Sequence, residues 1–316
     1  MANPIQFYRD FQAMMREHCI RHVLTSGMAC VEYGIQHNTK DTDWIIHPDD
    51  LGKLVAMLCE SERGLTGNNW RVSYRPLFGA SLSQEYHQGG WTSHLVIRDA
   101  PLAPEHHLDF FGKAPRLKDD EWLAQSGGIA SKSVVAQMKK TDRAKDWPIV
   151  NGLAVQACLE GDMDGLLHLR EIALLRSFWI ELDHSTRQRL GAIRPILLNL
   201  SDCDDTRLER LLWIERSIWE QVNRERYSVY QHEWKEFYRR WQKDQVGQWP
   251  SSEPFVQQHR RIVEAVIEFQ LPARPLDPPI RKQAIFKQGI QRAAALLAAT
   301  PEELAAVVFP IEVILP

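Results

Sequence analysis

Three pairs of aspartates in the chain are separated by a single residue: Asp41 and Asp43, Asp162 and Asp164, Asp202 and Asp204. The spacing alone carries no function, so whatever distinguishes one pair must come from its surroundings. The first pair stands in Thr39-Lys40-Asp41-Thr42-Asp43-Trp44-Ile45-Ile46, immediately before an apolar run. On a strand, residues i and i+2 face the same side, so Asp41 and Asp43 would project together. Carboxylates this close raise one another's pKa unless a cation sits between them. Mg²⁺ (or Mn²⁺) suits that position, because hard cations take oxygen ligands, often one or two carboxylates plus substrate phosphates. Asp109, in the apolar stretch His107-Leu108-Asp109-Phe110-Phe111, is out of place in a buried strand. As a third carboxylate it would complete a two-metal clamp for phosphoryl chemistry. Upstream, Ser26-Gly27 follows a strand candidate and opens a helix. That turn offers free backbone N–H groups and a positive helix end to a phosphate, and Gly27 permits close approach.

The elements that must position these residues are readable from periodicity. Residues 4–20 carry Phe7, Phe11, Met14, Met15 and Cys19 at helical spacing, which predicts a helix. Arg21–Leu24 reads as a short strand, Met28–Tyr33 as a short helix closed by Gly34, and Asp43–Ile46 as a second strand. Pro48-Asp49-Asp50 opens a helix through about Glu60. Strands are expected at Trp70–Phe78, Trp91–Ile97 and His107–Phe111, with the Gly-rich segment 79–90 a loop or hairpin connection. Beyond about residue 120 the pattern is helical: 131–146, 148–160, 163–181, 205–244, 254–269 and 281–298. Residues 307–315 read as a terminal strand or a docked tail. The fold class expected is α+β, a mixed sheet with helices over 1–150, followed by a mostly α-helical domain over 151–316.

With those elements placed, Ser26-Gly27-Met28-Ala29, Gly34 and Thr39-Lys40-Asp41-Thr42-Asp43 together resemble the signature of the polymerase-β-like nucleotidyltransferase superfamily, in its prokaryotic AbiEii-type and minimal forms. That signature runs strand, glycine turn, short helix ending in Gly, a basic residue, Thr, then D-x-D on the next strand. Asp109 in Leu108-Asp109-Phe110-Phe111 resembles its third carboxylate strand. Ser26 stands where a glycine is common and His37 where arginine is frequent. Residues 136–150, AQMKKTDRAKDWPIV, are similar to the family's later helix pattern, represented by Lys139, Arg143, Lys145 and Asp146. Lys139 and Arg143, four apart, would share one helix face. The resemblance covers roughly residues 20–150. It implies an NTP and a divalent cation on Asp41, Asp43 and Asp109. Ser26 and Gly27 would cradle the phosphates, and Lys139, Arg143 or Lys145 would offset developing charge. The acceptor it leaves open: a small molecule, an RNA or a protein.

Each of these residues also has a plain reading. The aspartate pair can be a solvated strand start, Ser26-Gly27 an ordinary turn, Asp109 a cap, and the Lys139, Arg143 and Lys145 set a solvated helix face. His106 and His107 read as structural or surface histidines, since neighbouring strand residues point to opposite faces and no further ligand spacing follows. The basic and aromatic stretch Arg224–Arg240 is interleaved with Glu225, Glu233 and Glu236, which favours an amphipathic helix with paired charges over a nucleic-acid surface. A net charge of −3 gives no global pull toward nucleic acid or membranes. No apolar run approaches the roughly 20 residues of a membrane span, and the opening MANPIQFYRDFQ lacks a secretory h-region. Five scattered cysteines, with no C-x-x-C pair, point to reduced thiols in a cytoplasmic protein. Two alternatives to a nucleotidyltransferase acting on an unidentified hydroxyl acceptor follow: a non-catalytic binding or scaffold protein of the same fold, and an RNA (tRNA)-directed nucleotidyltransferase toxin.

Overall fold

The computed structural model describes residues 4–67, 70–99, 104–244 and 249–316. Helix α1 (Pro4–Glu17) leads into β1 (His22–Thr25), α2 (Ser26–Glu32) and β2 (Asp41–Ile46). A 3-10 turn at Pro48–Asp50 then enters α3 (Leu51–Glu62), followed by β3 (Arg71–Tyr74), α4 (Gln84–Gln88), β4 (Thr92–Arg98) and β5 (His106–Phe111). After α5 (Asp119–Leu123), the two-residue β6 (Gly128–Ile129) completes a six-stranded mixed sheet in the order β3-β4-β5-β2-β1-β6. β2 runs parallel to β5 and β1 parallel to β6, and the other neighbours are antiparallel. The rest of the described chain is helical: α6 (Lys132–Lys139), α7 (Trp147–Leu159), α8 (Ile172–Glu181), α9 (His184–Ile193), α10 (Asp205–Asp244), α11 (Phe255–Glu268), α12 (Pro279–Leu297) and α13 (Pro301–Val307). The protein is therefore α+β. Among the described residues no helix is long and apolar enough to cross a membrane.

Alternation along the strands sets the layers. Trp44, Ile46, Leu108, Phe110, Leu95 and Ile97 face one side, where Phe11 and Met15 of α1, Leu54 and Leu58 of α3, and the C-terminal half of α10 with α11 cover them. Trp44 and Phe110 are wholly buried there, and each such side chain contributes about 1.5–3 kcal/mol. The other face carries Val23 and Ile45 against Ala29 and Cys30 of α2, Val135 and Met138 of α6, and Val150 and Leu153 of α7. A third core is purely helical and joins α7, α8, α9 and α12 to the N-terminal half of α10. α10, 40 residues and so about 60 Å long, supplies Leu211 and Ile218 to the helical core and Phe237 and Trp241 to the sheet. Side chains from both sides of residue 150 share these cores.

Several expected elements are altered, each by a tertiary cause. The helix expected over 131–146 stops at Lys139. There the Arg116 guanidinium takes the carbonyls of Gln137 and Met138, and the Asn223 amide takes that of Lys140. The last carbonyls are thus satisfied from outside the helix, and the chain turns away. α1 ends three residues early because Cys19 adopts φ 51°, a left-handed stop. Residues 163–181 form a 3-10 turn and then α8, not one helix. The expected loop 79–90 contains α4, while α5, α9 and β6 are too short or too polar to announce themselves by periodicity. The C-terminus is a docked tail: α13 and a 3-10 turn precede Ile314 and Leu315, both buried in the helical core.

Candidate active site on the carboxylate face of the sheet

The cross-strand register brings the three expected carboxylates to one place. Asp43 on β2 pairs with Asp109 on β5, and Asp41 pairs with His107. On the far side of β5, Asp109 pairs with His94 of β4. Arg75, just past β3, donates its N–H to the His94 carbonyl. One row thus crosses the sheet as Arg75, His94, Asp109, Asp43, with Asp41 two residues along β2 on the same face. Directly opposed like charges destabilise a strand pair, so Asp43 and Asp109 form a costly arrangement that something must offset.

Asp43 bears the largest cost. Burial, followed by the neighbouring Asp109 charge, pushes its carboxyl up to about 6, against Lys139, the Ser26 hydroxyl and the Gly27 N–H, which act to lower it. Ser26 and Gly27 therefore do act on an anion in this structure, and that anion is the Asp43 carboxylate. Ser26 takes φ 53°, a left-handed conformation that glycine adopts without steric cost. In that conformation its hydroxyl reaches Asp43. At Gly27 an added Cβ would lie 2.5 Å from Thr39 Oγ1, so the glycine turn and the Thr39 segment interlock. Thr39 Oγ1 in turn donates to the Asp41 carbonyl at 3.1 Å, fixing the entry to β2.

Asp41 and Asp109 are contacted by side chains that sequence reasoning does not assign to the site. Arg75 Nη1 lies 3.7 Å from Asp41 and 3.8 Å from Asp109. His94 Nδ1 is 2.6 Å from Asp109 Oδ1, while its Nε2–H donates to the Phe78 carbonyl at 2.8 Å. Both nitrogens of that ring thus face oxygen atoms, which fixes its plane between β5 and the Phe78 segment. His107 bridges Asp41 and Glu105, at 3.2 Å on each nitrogen. Its neighbour His106 points to the opposite face and stacks on Phe7 with ring centroids 3.7 Å apart. Spacing along one strand could show that the two histidines diverge, but only the β2–β5 register shows where His107 lands.

The basic set divides. Lys139 is buried, its Nζ lies 3.9 Å from Asp146, and its charge acts on Asp43 and on Cys30. Arg143 is not on the same helix face, because α6 ends at Lys139; it reaches Asp146 from the following turn at 2.7 Å. Thr141 also donates to the buried Asp146 carboxylate, at 2.5 Å. Lys145 is exposed in the 3-10 turn Ala144–Asp146. Lys139 alone of the three is built into the carboxylate face. Three of the four aspartates in the other two D-x-D pairs serve local structure. Asp162 caps a 3-10 turn, Asp164 pairs with Arg189 at 2.6 Å, and Asp204 accepts from the Arg207 N–H in the first turn of α10.

Among the described residues no group of three or more His, Cys, Asp or Glu side chains is gathered as a ready metal cage. The donor chemistry of Asp41, Asp43 and Asp109 nevertheless fits a hard divalent cation: all donors are carboxylate oxygens on one face, and Asp43 bears an electrostatic cost that a cation would relieve. Binding one would require Arg75 and the two histidine rings to give up their contacts to Asp41 and Asp109. Comparison with family models, with curated proteins and with solved structures finds no match for this chain.

Proposed function

We propose that the protein is a metal-dependent nucleotidyltransferase that moves a nucleoside monophosphate from an NTP to a hydroxyl acceptor. The observation that carries this reading is the in-register pair Asp43–Asp109, with Asp41 on the same face, beside the Ser26-Gly27 turn. Asp41, Asp43 and Asp109 would hold Mg²⁺ or Mn²⁺, which supplies charge neutralisation of the triphosphate when bound. Ser26 and Gly27, which hydrogen-bond Asp43, would also cradle the β and γ phosphates. Lys139, buried behind Asp43, holds a fixed positive charge against the charge that develops as the bond between the α-phosphorus and its bridging oxygen breaks. Asp109, once released from His94, would help take the acceptor hydroxyl proton as the new O–P bond forms and pyrophosphate leaves. A cytoplasmic location, in keeping with five free cysteines, is part of the same proposal.

One observation favours a second reading, a non-catalytic protein that keeps this face for structure or binding. Arg75 already lies beside Asp41 and Asp109, and His107 and His94 already contact those carboxylates from within the chain. The two readings part in a thermal-shift experiment. On the enzyme reading, Mg²⁺ with at least one of the four NTPs raises Tm, and Asp41→Asn with Asp43→Asn abolishes that shift. An unchanged Tm with every NTP leaves the structural reading standing.

A further inference from the structure

Away from the carboxylate face, a cleft of about 130 Å³ opens between α4, the end of β5, α10 and α12. Lys113, Arg226, Arg274 and Lys282 line it, and Asp277 is the one acidic side chain lining it among the described residues. Arg116 also borders the cleft, but its donors are taken by Gln137, Met138 and Asn223. The four remaining cations have no carboxylate side chain at ion-pair distance among the described residues. Their chain neighbours do: Arg224 pairs with Asp142 at 3.5 Å and Arg281 with Glu233 at 3.6 Å. Arg226 instead lies against the Tyr230 ring, 5.1 Å from its centroid, Arg274 reaches only the Gln88 amide, and Lys282 donates to the backbone oxygens of Leu315 and Pro316. Burial, then the charge of Lys113, lowers the Lys282 pKa, against Asp277, which raises it, with Arg226 a smaller lowering influence. Four like charges are thus gathered against two anions in the cleft, Asp277 and the carboxyl of Pro316, so the cations are in excess.

The backbone is shaped to bring them together. A Cβ on Gly89 would fall 1.7 Å from the Ala273 carbonyl oxygen, so this glycine seats the chain that delivers Arg274. Gly90, at φ +85°, leaves room for the Tyr230 hydroxyl, which donates to the Gly89 carbonyl at 2.7 Å and holds α10, with Arg226, against the cleft. The volume decides the size of the guest. It equals the liquid share of about four waters, which suits one tetrahedral oxyanion with its hydration and falls short of the roughly 300 Å³ at which whole small-molecule pockets begin. Two guanidinium forks and two ammonium groups are the donor set that phosphate oxygens take.

We propose that this cleft binds a phosphoryl group, gripped by Lys113, Arg226, Arg274 and Lys282. The group arrives either as a small phosphate species or as the terminal phosphate of a nucleic-acid strand, and the test separates these sources. The full chain is titrated with inorganic phosphate against chloride at matched ionic strength, reading Tm and heat of binding. The titration is repeated with a short oligonucleotide carrying or lacking a 5′-phosphate. Phosphate is expected to bind saturably and raise Tm, and Arg226→Gln or Lys113→Gln to weaken it about tenfold each. In phosphate-free buffer Lys113→Gln should not lower Tm, since it relieves repulsion; this readout separates a ligand site from a structural one. Competition by the phosphorylated oligonucleotide alone assigns the strand end, and its failure to compete assigns the small species. No saturable phosphate binding beyond that of chloride, or folded variants that bind phosphate as tightly as the parent, overturns the proposal. Asp41→Asn with Asp43→Asn should leave phosphate binding intact, so this site and the carboxylate reading stand or fall separately.

Discussion

Replacing Asp43 with asparagine should stabilise the metal-free protein near neutral pH, an unusual outcome for a partly buried polar residue. In the folded chain the Asp43 carboxyl is raised to about 6 from an ordinary 3.8, by burial and by the adjacent Asp109. A raised folded pKa means that the native state holds this proton more tightly than the unfolded chain does. The group's contribution to stability is then fully present below about pH 4, falls as pH rises to about 6, and stays lost above that. The gap corresponds to at most about 3 kcal/mol. The amide side chain of Asp43→Asn removes the charge but accepts less well from Ser26 and Gly27, a loss of about 1 kcal/mol. The net gain is therefore about 1–2 kcal/mol, a rise in Tm of roughly 2–6 °C for a chain of this size. Thermal or urea unfolding in chelator, at steps from about pH 4 to pH 8, measures it. The parent should lose stability across the window while Asp43→Asn stays flatter, and excess Mg²⁺ should stabilise the parent and not the variant. A variant destabilised at neutral pH as much as at acid pH would refute the reasoning.

Three further comparisons test the packing that positions the site. Gly27→Ala should cost about 1–3 kcal/mol, because its Cβ meets Thr39 Oγ1 at 2.5 Å, and adding Thr39→Ala should return most of that loss in a double-mutant cycle. Ser26→Gly should be less harmful than Ser26→Ala by about 1 kcal/mol in urea unfolding, since both lose the hydroxyl but only glycine relieves the φ of 53°. Arg116→Met should cost about 3 kcal/mol or more, leaving the carbonyls of Gln137 and Met138 and the Asn223 side-chain oxygen without their donor; amide exchange should locate the loosening at the end of α6.

What can be read from the sequence follows from the range of the interactions involved. α10 spans Asp205–Asp244, as its long periodic run of Leu208, Leu211, Ile218 and Val222 implies, because helical period is a local property. The placement of Asp41 and Asp43 on one strand face is local too. Their meeting with Asp109 rests on a parallel β2–β5 register across a long connection, and residue type alone supplies that hint, through a carboxylate inside an apolar strand. Arg75, His94 and His107 carry no such signal: each is ordinary in its own segment and enters the site only through cross-strand pairing. The break after Lys139 is equally hidden, since its causes, Arg116 and Asn223, lie far along the chain in both directions.

The central claim, that the carboxylate face transfers a nucleotide, is tested most directly by incubating the protein with each α-labelled NTP, Mg²⁺ and cell extract and following the label. The account predicts that label from at least one NTP moves to an acceptor fraction, and that Asp41→Asn with Asp43→Asn abolishes the transfer in a protein that still folds. Label transfer that persists in the double variant, or none from any NTP with the parent, would contradict it.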